Sequence, residues 1–138
     1  MRALKATLVA LLVATLGLAV FAGVAAAGTK KKTAVAYFSG SPKFNKARKV
    51  TAKGTLNTAP ACKSSRGMRL QLLNSAGIVI AVLDGSTSDA SGNWVLSGQL
   101  PESLPAGTNS VRVKATKRTA GKFFCRAGVS FPVAVPVT

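Results

Sequence analysis

The sequence has no histidine, and only three of its 138 residues are acidic: Asp84, Asp89 and Glu102. Histidine is the commonest proton-transfer group and metal ligand near neutral pH, and paired carboxylates are the usual substitute. An enzyme built from this chain would have almost nothing with which to move protons, activate a nucleophile or hold a cation. A non-enzymatic role without catalytic residues, metal or cofactor is therefore expected. Asp84 and Asp89 flank the stretch DGSTSD, whose spacing is loosely similar to a calcium loop. The alternating oxygen ligands and the closing bidentate Glu of such a loop are missing, so the stretch reads as a turn. KSSR, at residues 63–66, sets lysine beside serine. Nothing there signals the burial that lowers a lysine pKa for nucleophilic catalysis, and the stretch reads as a solvated loop.

Aromatic residues are also few, with one Trp, one Tyr and six Phe. None alternates with the basic residues, which argues against sequence-specific nucleic-acid recognition by base stacking. Trp94 opens an apolar run in SDASGNWVL and reads as a core residue rather than a sugar-stacking platform. Within that stretch Asp89, Gly92 and Trp94 form a turn signature. The carboxylate caps its own turn, the glycine permits a positive φ, and the indole enters the core.

Positive charge is abundant: nineteen Lys and Arg give a net charge of +16. Arg2 and Lys5 precede an apolar run over residues 6–24, and Ala25, Ala26 and Ala27 follow. This is the pattern of a cleaved export signal over residues 1–27, preceding a secreted or cell-wall-associated protein. An uncleaved anchor is the competing reading, and membrane contact is expected only through it. Lys30, Lys31 and Lys32 sit awkwardly with both, because positive charge collects on the cytoplasmic side. If Arg2 and Lys5 leave with the signal, seventeen cations and three acids remain, a net charge of +14. The remaining length suits one small domain. Cys62 and Cys125, an even count behind an export signal, predict one disulfide.

Beyond residue 28 no stretch repeats at helical spacing, and turn residues recur at short intervals. The expectation is all-β, an antiparallel β-sandwich of six or seven strands behind the signal helix, with a small barrel as the alternative. A basic segment over residues 28–47 holds a first strand in TAVAYF, and residues 48–138 form the domain. KVTAKGTL, GMRLQLL and SVRVKATK alternate, with Val50, Ala52, Leu56, Met68, Leu70, Leu72, Val111, Val113 and Ala115 facing inward. NSAG joins GMRLQLL to IVIAVL as a hairpin. The unbroken apolar run Ile78–Leu83 predicts a strand covered on both faces. GVSFPVAVPV places Val129, Phe131, Val133 and Val135 inward, with Pro132 at an edge or bulge.

The same alternation turns Lys49, Lys53, Arg69, Arg112 and Lys114 outward, with Lys117 and Arg118 just beyond. These seven are the candidate polyanion-binding residues. Strand order decides whether they make one continuous basic surface. Such a surface attracts anionic surface polymers or glycans with a strong dependence on salt. Alternatively, the charge serves only solubility.

GMRLQLLNSAGIVIAVLDGSTSDASGNWVLSGQLPESLPAGTNSVRVKA resembles the secreted carboxypeptidase regulatory-like and transthyretin-like domains and the related Cna B-type domains. The shared pattern is two apolar strands, the turn Ser88–Trp94, and a return from Leu104 through Pro105 and Gly107 to Val113. The resemblance spans about residues 48–136 and extends to small exported bacterial proteins with one cysteine near each end. It implies an immunoglobulin-like or transthyretin-like sandwich acting as an accessory, surface or binding module. The usual Tyr of the return is missing, with Asn109 and Ser110 in its place, and the last strand lacks the Asn of an isopeptide cross-link. No residues match the prealbumin hormone site. The expected function is a structural or binding module at the cell surface. The alternative is a cationic inhibitor or toxin-like effector acting on a protein target. The chain fixes no oligomeric state.

Overall fold

A computed structural model describes residues 30–39 and 42–137. The expected signal over residues 1–27 lies outside the described residues. Among those described, the fold is all-β with antiparallel strands, and its one helical element is a 3-10 turn at Pro60–Cys62. The strands are β1 (Lys30–Thr33), β2 (Val35–Phe38), β3 (Lys43–Phe44), β4 (Lys49–Asn57), β5 (Gly67–Leu73) and β6 (Val79–Thr87). They continue with β7 (Asn93–Gln99), β8 (Ser110–Ala115), β9 (Arg118–Ala120), β10 (Phe123–Arg126), β11 (Gly128–Val129) and β12 (Val133–Ala134). Several are fragments of two to four residues, which is why twelve appear where six or seven were expected.

The first sheet is organised around β4, which pairs with β7 along Lys49–Thr55 and with the short β2 and β3. The second runs β8, β5, β6, with β11 and β12 both added to β8. A small third sheet, ordered β1, β10, β9, sits at the end that carries the disulfide. The two larger sheets contribute alternate residues to one apolar cluster. It includes Val50, Ala52 and Leu56 of β4, Trp94 and Leu96 of β7, Met68, Leu70 and Leu72 of β5, and Val111 and Val113 of β8. Period-two alternation survives because one face of each strand has a core to fill and the other meets water. At one end the sheets touch directly: Ser97 donates its N–H to the Asp84 carboxylate at 2.8 Å. A Cβ on Gly98 would lie 2.6 Å from the Leu83 carbonyl oxygen, so glycine permits this approach.

Two strand expectations fail, both at sheet edges. Ile78–Leu83 is not covered on both faces. β6 is the last strand of its sheet; Ala81 and Leu83 pack on the core, while Ile78 is 61% exposed and Ile80 and Val82 are also exposed. An apolar run records composition, whereas two-sided burial requires a layer over each face.

The C-terminal strand turns Val129 and Phe131 outward, leaving Val135 buried and Val133 partly buried. Val129 stands opposite Lys114 and Val133 opposite Val111, so four steps along the edge match three along β8. The extra residue falls at Pro132, which has no N–H to give the ladder. Ser130, not a hydrophobic residue, fills the inward position before it. Its N–H bonds the Val113 carbonyl at 2.8 Å, and its hydroxyl accepts the Val113 N–H at 2.8 Å.

Candidate functional site

The scarce carboxylates are engaged by the backbone. Asp89 Oδ1 accepts the N–H groups of Ser91 and Asn93, each at 2.9 Å, and the Asp89 N–H bonds the Asn93 carbonyl at 2.9 Å. Gly92 has φ of 85°. Its carbonyl accepts the Leu56 N–H at 2.8 Å, seating the turn against β4. Two residues on, Trp94 is 2% exposed and belongs to the core. Asp84 accepts N–H groups from Gly85 and Ser97. Among the described residues no three His, Cys, Asp or Glu side chains gather as a metal site.

The Asn93 N–H, followed by those of Ser91 and Gly92, holds the Asp89 carboxyl below its ordinary pKa. Stability from such a group is complete above its unfolded pKa of roughly 4 and is lost as pH falls through the lower folded value. The melting temperature of Asp89→Asn is expected to lie below that of the unaltered protein near neutrality and to converge with it at about pH 2. Polyanion binding should not change. A gap that stays constant across this range would show that Asp89 is not held ionised by its turn.

KSSR is not simply a solvated loop. Lys63 and the serines are accessible, but Arg66 is fully buried, and its guanidinium reaches the carbonyls of Cys62, Thr116 and Arg126 at 3.0, 2.7 and 3.0 Å. Burial and the nearby Arg118 guanidinium lower the Arg66 pKa. Ser88, also buried, accepts the Arg66 N–H at 2.9 Å and donates its hydroxyl to the Lys63 carbonyl. This junction is closed covalently by the Cys62–Cys125 disulfide. Composition points arginine outward, so the sequence hides this role. The one available signal is position: Arg66 lies between Cys62 and the first core residue of β5.

A concavity of about 240 Å³ is walled by Arg48, Leu104, Asn109 and Val135 among others. Its wall offers a guanidinium, an amide and apolar carbon, and Arg48 already donates to the Pro101 carbonyl. Nothing in it resembles a nucleophile and base within reach of one another.

The seven candidate polyanion-binding residues do not form one surface. Lys49 and Lys53 point outward from β4 in the first sheet, with Lys43 on neighbouring β3. Arg69, Arg112 and Lys114 lie on the outward face of the second sheet. Because the sheets share a core, these faces look in opposite directions. Lys117 is exposed in the connection between β8 and β9. Arg118 is occupied as a brace, donating to the carbonyls of Ser64, Ser65 and Ala61 at 2.7, 3.0 and 3.2 Å.

The two faces differ in chemistry. Around Lys43, Lys49 and Lys53 stand Thr51, Thr55, Asn93 and Gln99, with two exposed apolar residues on the same face, Val95 of β7 and Val35 of β2. On the other face Arg69 stands directly opposite Lys114, and Arg112 donates Nε–H to Gln71 at 2.9 Å. Like charges opposite one another on neighbouring strands cost up to about 1 kcal/mol. No known protein family, curated protein or solved structure matches this chain.

Proposed function

We propose that the protein is a secreted, non-enzymatic structural or binding module that associates with anionic cell-surface polymers. Its sandwich-like pair of sheets we assign to the carboxypeptidase regulatory-like or transthyretin-like type. The reading draws on the export-signal pattern and on the disulfide, which suits an oxidising compartment. It rests above all on the basic face of the first sheet, which is hydrophilic apart from Val95 and Val35. There, lysines rise among hydroxyl and amide side chains, and the three carboxylates of the whole chain are too few to neutralise them. A hydrated polyanion finds matching charge and hydrogen-bonding groups there.

The test is retention on immobilised heparin, as a model polyanion, across a salt series. Binding is expected to weaken steadily and to vanish by about 0.5 M salt. Replacing Lys49 and Lys53 together with Gln should flatten the log–log salt dependence by about 1.5 to 2, the contribution of two released counterions. An unchanged slope would exclude this face as the contact.

A further inference from the structure

The second sheet's outward face also carries cations, and its border includes a large, almost fully exposed aromatic side chain, Phe131. One row across the strands reads Val129, Lys114, Arg69 and Gly85. The next reads Arg112, Gln71 and Val82, and Phe131 lies at its edge, one step beyond the Ser130 that is bonded to Val113. Phe131 is 89% exposed, Val82 51% and Val129 44%. Three cations therefore occupy the middle of a face whose opposite borders both expose apolar side chains.

We propose that this face docks on the surface of an anionic lipid bilayer. Arg69, Arg112 and Lys114 would meet headgroup phosphates, and Phe131 and Val82 would enter the boundary between headgroups and acyl chains. A cation near an anionic bilayer gains favourable energy that is screened by salt, and buried apolar area adds a part that salt does not remove. A phosphate between Arg69 and Lys114 also relieves the repulsion built into their cross-strand pair. A soluble polyanion satisfies the cations but leaves both apolar borders in water. A second copy of this chain would set the same cations against each other. The bilayer is the occupant that uses both halves of the pattern, and the proposal stands on this face alone, independent of polymer binding by the other.

Protein from expression of the full chain is floated with vesicles of equal parts phosphatidylcholine and phosphatidylglycerol, and with phosphatidylcholine alone. Dextran sulfate serves as the hydrophilic polyanion. The anionic vesicles should bind more protein than the neutral ones. Phe131→Ser combined with Val82→Ser should lower the anionic-vesicle partition coefficient at least about tenfold while leaving dextran sulfate affinity unchanged. Arg69→Gln with Lys114→Gln should lower it about 20- to 30-fold, whereas Lys49→Gln with Lys53→Gln should have little effect. Near-ultraviolet circular dichroism from buried Trp94 verifies folding, and the exposure of Phe131 and Val82 makes these replacements mild. Equal binding to both vesicle types would overturn the proposal. So would vesicle binding indifferent to the apolar pair, which would mark the face as a general polyanion site.

Discussion

Replacing Arg66 with alanine should cost about 3–5 kcal/mol, a large part of the stability of a domain this size. The guanidinium is fully buried and donates to carbonyls at three separate places: Cys62 in the 3-10 turn, Thr116 after β8, and Arg126 at the end of β10. The described interactions of its guanidinium include no carboxylate. Its charge is solvated by carbonyl dipoles in place of water, so the group and its acceptors depend on each other. Truncation leaves the buried Cys62 carbonyl and the part-buried Thr116 and Arg126 carbonyls without this donor, at about 1–3 kcal/mol per lost partner where water cannot enter. Lysine keeps the charge but not the planar fork that serves three carbonyls at once, and should recover only part of the loss. Methionine restores volume but no donor, and should behave more like alanine. Urea unfolding followed by tryptophan fluorescence reads these differences. An alanine variant within about 1 kcal/mol of the unaltered protein would mean that water replaces the guanidinium, and the brace would then be incidental.

Where the sequence was legible, a local pattern had a single structural cause. The alternation in KVTAKGTL and SVRVKATK sorted Val50, Ala52, Val111 and Val113 from Lys49, Lys53, Arg112 and Lys114, because each strand has one face on the core. The turn at Asp89 and Gly92 was equally visible, since its carboxylate and its positive φ both act within five residues. What stayed hidden depends on partners distant in the chain. β4 and β5 are consecutive strands in different sheets, and the 3-10 turn lies in the segment that crosses between them. That crossing divides the basic residues between two faces, and alternation within a strand carries no record of it. The exposed face of Ile78–Leu83 is hidden for the same reason, because its position at the sheet edge is a fact about its neighbours. Phe131 faces outward against the alternation because a single residue inserted at Pro132 reverses the parity of everything before it.

Breaking the Cys62–Cys125 disulfide should also destabilise strongly, and its effect should combine with that of Arg66 by less than addition. The bond closes a separation of 63 residues. Constraining the unfolded chain over such a loop is worth roughly 4 kcal/mol in the chain-entropy treatment. Both sulfurs are buried, so replacing the pair with alanine leaves a small cavity rather than exposed polar groups. The bond ties the 3-10 turn to β10, the same two segments that Arg66 joins through the Cys62 and Arg126 carbonyls. Arg118 crosses nearby, from β9 to residues 61–65. Once the covalent link is gone, those carbonyls are no longer held where the guanidinium can reach them all, and part of what Arg66 contributes is already lost. In a double-mutant cycle the combined loss for Cys62→Ala, Cys125→Ala and Arg66→Ala should fall at least about 1 kcal/mol short of the sum of the separate losses. Arg66→Lys in the alanine-paired background keeps such a cycle measurable if the triple variant fails to fold. Strict additivity would show that the disulfide acts on the unfolded chain alone and that the arginine organises this end of the fold without it.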